Sequence, residues 1–222
     1  MIVSHEHRFI FIKTRKTAGS SIEQFLLPHL GPDDTIRSFR ARNERGRFNP
    51  LPELASHPDR SNARLTLRQF ARGEKYVTHM PAWRARNRVG RAVWEDYTTF
   101  CFERDPWDKL VSFYHWRTKD EAEPLPFDEW VRTTPGLSGW DLYTIDDRVA
   151  VDVVGRFEHL EEDLAAVLER IGLDIPVDLP QAKSGVRPEQ DTVSYTPDLD
   201  AWVAEHFRRE IELMGYERPP RR

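Results

Sequence analysis

The apolar positions of this chain fall in short blocks whose spacing switches between alternation and helical recurrence, and the switches mark out its elements. Residues 8–14, Arg-Phe-Ile-Phe-Ile-Lys-Thr, are aromatic and β-branched and predict a strand near the start. A run of small residues follows. Ile22, Phe25, Leu26 and Leu30 then recur at helical spacing and predict a helix from about Ser20 to His29. Lys75–His79 reads as a second strand ending in a turn at Pro81, and Tyr97–Phe102 as a third, the clearest buried strand in the chain. The helix after it has a marked start: Asp105 suits the N-cap, Pro106 the first helical position, and Asp108 the place of a capping-box acid. Val151–Phe157 predicts a fourth strand and Glu161–Ile171 an amphipathic helix stopped by Gly172. A last helix is expected over Pro197–Met214, stopped by Gly215. Residues 31–60 are rich in Pro, Arg, Asn and Gly, with a short helix expected around 64–72.

Strands separated by helices, without hairpin signals, imply a mostly parallel sheet with helices on both faces. No linker or internal repeat interrupts the chain, so one α/β domain over residues 1–222 is expected. At 222 residues that domain can bury a core without staples. The lone Cys101 leaves no disulfide framework and no cysteine-based zinc site, which points to a reducing compartment. No apolar run approaches the roughly 18–20 residues of a membrane span, and the first residues lack the basic and greasy pattern of a signal peptide. A cytoplasmic protein with no membrane partner is expected.

Charge changes the picture in one respect. The net value of −4 argues against nucleic acid as the main partner. Residues 37–104, however, hold 15 Lys and Arg against 7 Asp and Glu, and residues 105–180 hold 7 against 18. Two solvated faces of one domain account for this, and so does a basic lobe facing an anionic ligand.

Two places carry candidate chemistry. The turn Lys16-Thr17-Ala18-Gly19-Ser20-Ser21 joins the first strand to the first helix, so it presents backbone N–H groups at a helix N-terminus, with a lysine and two hydroxyls beside them. It is not a Walker A loop, because its lysine precedes its only glycine. An ordinary capped turn reads the same way. Arg104 ends the third strand, where ligands of open α/β sheets gather, and Ser112 lies two turns into the next helix; an ion-pairing arginine and an incidental serine are the plain alternative.

Taken together, these segments carry a family resemblance. Lys16–Ile22 after an aromatic strand resembles the 5′-phosphosulfate loop of sulfotransferases that use 3′-phosphoadenosine 5′-phosphosulfate (PAPS). Phe102-Glu103-Arg104-Asp105-Pro106-Trp107-Asp108-Lys109-Leu110-Val111-Ser112-Phe113-Tyr114 resembles the 3′-phosphate motif of the same family. The pattern is most similar to the carbohydrate sulfotransferases and their bacterial relatives, with further similarity at Gly155–Leu160 and Phe207–Tyr216; residues 31–74 and 120–145 are unmatched.

The resemblance implies a P-loop-like three-layer domain. It assigns Lys16 to the bridging and leaving-group oxygens of the donor, and the amides of Thr17, Ala18, Gly19, Ser20 and Ser21 with the two serine hydroxyls to the 5′-phosphate. Arg104 and Ser112 take the 3′-phosphate. The implied reaction is in-line transfer of a sulfuryl group to a hydroxyl, of a saccharide or a small molecule, leaving adenosine 3′,5′-bisphosphate. No metal is expected, and His5-Glu6-His7 reads as an exposed N-terminal segment. His79 is the chosen general base, with Glu53, Glu74 or an acid in 120–147 as alternatives.

Two departures stand out. Relatives carry His-x-Pro before the loop lysine, where this chain has Lys13, Thr14 and Arg15, so that Lys13 also comes close to the expected sulfate. The Arg-Lys-Gly nucleotide motif is absent, with Lys183-Ser184-Gly185 and nearby Arg187 as its nearest substitute. Trp83, Trp94 and Trp107 read as core residues, and Trp140 as one that could face an acceptor. The rival readings are a non-catalytic nucleotide-binding member of the same fold and a P-loop-type kinase.

Overall fold

In the computed structural model, which describes residues 1–36, 48–56, 60–180 and 193–217, the helices pack around a five-stranded sheet. The centre of the sheet is parallel: β2 (Phe9–Phe11) pairs β4 (Thr98–Glu103), which pairs β7 (Val153–Arg156). Period-two alternation fills both faces. Phe9, Phe11, Phe100 and Phe102 point to one side, against Ile22 and Leu26 of α1 (Gly19–Leu26) and Leu164, Val167 and Leu168 of α9 (Leu160–Arg170). Ile10, Ile12 and Cys101 point to the other, against Ala82 and Ala85 of α4 (Ala82–Val89), Trp94 of α5 (Arg91–Asp96) and Tyr143 of α8 (Trp140–Tyr143). A helical cluster flanks the sheet, where α6 (Pro106–Thr118), α7 (Phe127–Thr133) and α10 (Pro197–His206) pack through Leu110, Val111, Trp130, Val131, Leu199 and Val203. After α8 the chain makes a separate antiparallel pair, β5 (Thr144–Ile145) with β6 (Arg148–Val149).

The expected alternation of helices on both faces therefore holds, with three corrections. First, the chain opens with a hairpin. β1 (Ile2–Ser4) runs antiparallel to β2 and to β3 (Thr35–Ile36), which gives the strand order β3-β1-β2-β4-β7. Its turn has no glycine, asparagine or proline to announce it. It is held from outside by Asp34, which accepts from the Ser4 hydroxyl and from the amides of His5 and Glu6.

Second, Lys75–His79 is not a strand. β2 already has β1 and β4 as neighbours, so the segment crosses the sheet face and buries Tyr76 and Met80 there. Third, the last helix is kinked at Phe207, which separates α10 from α11 (Arg208–Met214). The short helix expected near 64–72 is α3 (Arg60–Arg72), preceded by α2 (Leu51–Ser56). The segment Lys183–Gly185 and Arg187 lie outside the described residues. No helix among the described residues is long and apolar enough to cross a membrane.

A buried ion cluster anchors α2 and α3. Glu53 accepts from Arg84 at 3.1 Å, from Arg88 through Nη2 at 3.1 Å and from the Thr66 hydroxyl at 2.9 Å. Closer to the site, Gly155 of β7 lies directly beside Phe102 of β4. A Cβ there would meet the Phe102 ring at 2.5 Å, and that ring is fully buried. Gly155→Ala is expected to destabilise the fold by about 1–3 kcal/mol through overpacking, read as a lower urea midpoint with unchanged slope.

Candidate functional site

The carboxyl ends of β2, β4 and β7 meet at one edge of the parallel sheet, and bonds from Thr14 and Arg104 hold the loop after β2 there. Thr14 donates its hydroxyl hydrogen to the Phe102 carbonyl at the end of β4 and lies 2.8 Å from the Thr17 hydroxyl. Lys13 folds under α1, where its Nζ reaches Glu23 at 2.5 Å and the Ser20 hydroxyl at 3.1 Å. Glu23 also holds the N-terminal ammonium at 2.6 Å. Lys13 is thus buried and paired within the protein, behind the loop rather than in it. Its stem explains the loop glycine: a Cβ on Gly19 would meet Lys13 Cγ at 2.8 Å.

The left-handed backbone falls on Lys16 (φ 62°) and Ala18 (φ 55°) instead. Neither is a residue that favours it, and each costs about 1 kcal/mol or more. Alternating hands of this kind curl a chain into a concave row of amides. Ala18 caps α1 with its carbonyl, and no side chain caps the helix start. The loop therefore offers a helix N-terminus with Thr17, Gly19, Ser20 and Ser21 around it, as the spacing in the sequence implied.

Arg104 joins the two candidate regions. Its Nη1 donates to the Lys16 carbonyl at 3.0 Å, and its guanidinium lies 3.9 Å over the ring of Phe157, just past β7. Asp108 faces it from the first turn of α6, at 2.7 Å from Nε and 2.5 Å from Nη2. Asp105 is the helix cap, as expected, and accepts from the amides of Trp107 and Asp108. Asp108 does not serve as a capping-box acid, because its carboxylate turns to Arg104.

On α6, Asp108, Ser112 and Trp116 recur at four-residue spacing and so form one stripe. The stripe begins at Arg104 and ends at Lys16, whose Nζ lies 5.5 Å from the Trp116 ring. Ser112, half-buried, occupies the turn between them. Under this turn Glu103 is fully buried. It accepts from the Arg104 amide at 2.9 Å and from Lys109 Nζ at 2.7 Å, fixing the backbone from which the arginine projects.

His79 enters from the far side of β2. Its Nδ1 lies 3.0 Å from the Lys13 carbonyl, which can only accept, so the hydrogen is on Nδ1 and Nε2 carries the lone pair. Burial pushes its pKa down to about 4, and the charges of Arg15, Lys13 and the N-terminus add to the effect against that hydrogen bond. The imidazole is neutral at pH 7, and the backbone of His79 is left-handed at φ 54°.

Glu53 is removed from consideration as a base, because it sits in the buried arginine cluster. Trp140 donates its ring N–H to Asp147 and packs on Tyr143. Trp94 and Trp107 are buried as expected, and Trp83 is half-buried against Arg84. Among the described residues no group of three His, Cys, Asp or Glu side chains could hold a metal.

Sequence reasoning alone passed over Asp108 as a partner of Arg104, Trp116 beside Lys16, and Phe157 beneath Arg104. The four-residue spacing of Asp108, Ser112 and Trp116 was the available signal for the first two. Phe157 carries no local one.

Residues 1–216 match a family model described as the sulfotransferase family. An uncharacterized protein of Archaeoglobus fulgidus is 40% identical over 106 residues, which cover 45% of this chain and 88% of that protein. No solved structure matches the chain.

His79 makes stability depend on pH with a definite sign. Its folded pKa, about 4, lies below its ordinary value of 6.5, so between these values the unfolded chain binds a proton that the folded chain refuses. Its contribution is fully present above pH 6.5 and is lost as pH falls towards 4. His79→Gln is expected to flatten the urea-unfolding profile over that window, and the wild-type ring should remain neutral at pH 5.5 by NMR.

Proposed function

The chain belongs to the sulfotransferase family, and on that premise we propose that it moves a sulfuryl group from PAPS to a hydroxyl of a saccharide or small molecule, releasing adenosine 3′,5′-bisphosphate. The observation that carries this reading is the 3.0 Å bond between Arg104 and the Lys16 carbonyl, which sets the two expected phosphate-binding regions side by side. The donor set suits a nucleotide phosphorylated at both ends. The start of α1, which has no side-chain cap, and the curled loop favour one anion, and Arg104 with Ser112 favours a second beside it. A cleft of about 460 Å³, lined by Ala18, Ser21, Phe157 and Leu179 among others, adjoins the loop and has room for the base.

When bound, PAPS supplies an activated sulfuryl group on a phosphate leaving group. Lys16 then serves where charge develops as the sulfur–oxygen bond to that phosphate breaks, and cationic stabilisation of this kind contributes the most to such transfers. Trp116 backs the ammonium and limits its swing. His79 receives the acceptor proton on Nε2 as the new sulfur–oxygen bond forms. Its pKa of about 4 is low for a base at pH 7. Burial depresses it most, and an anionic nucleotide in the loop opposes the smaller effect of the nearby cations, so we expect the imidazole to become a stronger base once the site is loaded. Sulfate or phosphate esters on a saccharide would also suit the excess of arginine in residues 37–104.

Thermal unfolding with adenosine 3′,5′-bisphosphate, ATP with Mg²⁺, or 5′-AMP tests the reading. A ligand at about 100 times its Kd adds roughly 2.7 kcal/mol, or a rise of about 5–10 °C. The bisphosphate should give that rise and Arg104→Ala should remove it; a larger shift with ATP and Mg²⁺ would favour a kinase. Lys16→Met is expected to lower transfer at least 10²-fold while leaving bisphosphate binding within a few-fold. In the same complex the NMR-measured pKa of His79 should rise from about 4; no rise would remove His79 as the base.

A further inference from the structure

Arg104 already has an anion. The Asp108 carboxylate lies 2.7 Å from Nε and 2.5 Å from Nη2, the Lys16 carbonyl takes Nη1 at 3.0 Å, and the Phe157 ring closes one flat face at 3.9 Å. All three guanidinium nitrogens therefore face a protein oxygen. Asp108 has no capping duty to account for its charge, since Asp105 accepts from both first-turn amides. The two partners also differ in access: the Arg104 side chain is 12% exposed and that of Asp108 is 37% exposed. The arginine is held in place, while the carboxylate stands at the rim, where an incoming anion meets it.

Resting on the nucleotide reading above, we propose that Asp108 is a built-in competitor of the 3′-phosphate. It aims Arg104 in the empty site, repels the phosphate in the loaded one, and takes the arginine back as the nucleotide leaves. Substrate and product carry the same 3′-phosphate, so the carboxylate weakens both alike and keeps the product from being retained. An orienting partner without charge would aim the arginine equally well; the negative charge adds release. The side chain is a positioning and affinity-setting residue, not one that touches the reacting atoms.

The charge and the orientation separate experimentally. Asn at this position keeps an oxygen for Nε and removes the charge. Full-length wild type, Asp108→Asn and Arg104→Ala are titrated calorimetrically with adenosine 3′,5′-bisphosphate and with 5′-AMP, and bisphosphate dissociation is followed by stopped flow. Asp108→Asn should tighten the bisphosphate about tenfold, the scale of one charge contact at a partly exposed site. It should slow dissociation by a similar factor and leave 5′-AMP within twofold. A purely structural role would move both nucleotides together or neither. Should the Asn variant fold poorly, Asp108→Ser is expected to show the same selective tightening. Unchanged or weaker bisphosphate binding in a folded variant overturns the proposal. A wild type that binds the bisphosphate no better than 5′-AMP overturns the nucleotide reading itself, and the role of Asp108 with it.

Discussion

The site depends on the parallel pairing of β2 with β4. That pairing brings the ends of two strands, far apart in sequence, to one edge of the sheet. Two bonds then lock the segments that leave those ends: the Thr14 hydroxyl to the Phe102 carbonyl, and Arg104 to the Lys16 carbonyl. A loop with left-handed backbone at both Lys16 and Ala18 would not hold its shape unaided. These long-range bonds offset the local cost, and each ties the loop to the end of β4 or the residue just past it. Burial of Phe11 and Phe100 on one face and Ile10, Ile12 and Cys101 on the other makes slippage of the register costly, since a one-residue shift would exchange the faces.

Electrostatics at the edge follow a consistent division. Charges behind the loop are paired and withdrawn: Lys13 with Glu23, the N-terminus with Glu23, and Lys109 with Glu103. Removing one partner of such a pair strands a buried charge and is expensive, so these pairs fix geometry more than they add net stability. At the rim, Arg104 pairs with Asp108, whose carboxylate is the more exposed partner, and Lys16 lies beside Trp116. His79 sits between the two zones and is kept neutral by burial and by the cations behind it.

The legible part of the sequence is the part that local physics dictates. The start of α6 was readable, because Asp105 and Pro106 are strong helix-start signals and a buried aromatic strand precedes them, although Asp108 turned to Arg104 instead of closing a capping box. The loop at 16–21 was readable from its small residues between strand and helix. The N-terminal hairpin was not, because Asp34, about thirty residues away, supplies the hydrogen bonds that a turn sequence usually provides. Lys75–His79 has strand composition, yet the sheet had no open place beside β2, and burial of Tyr76 and Met80 decided its course. The kink at Phe207 leaves no trace in the helical periodicity around it. Within the site, the partners of each residue were the hidden part: the family resemblance paired Arg104 with Ser112, but gave neither the carboxylate nor the aromatic face that hold the arginine.

The three residues before the loop lysine show how an altered motif can keep its geometry. The family pattern places a proline there, which would stiffen the chain through its fixed φ. This chain has no such restraint at Arg15, and each of the three residues makes a tether instead. Lys13 reaches back beneath α1 to Glu23, Thr14 bonds across to β4, and Arg15 donates to the Gly136 carbonyl at 3.0 Å. Gly19 completes the arrangement by leaving room for the lysine stem. Three side-chain contacts in different directions restrain the loop entrance where a ring would have done so locally. The substitution at 13–15 therefore relocates the restraint from the backbone to the surrounding elements, with the positive charge of Lys13 paired to Glu23 and its Nζ also touching the Ser20 hydroxyl.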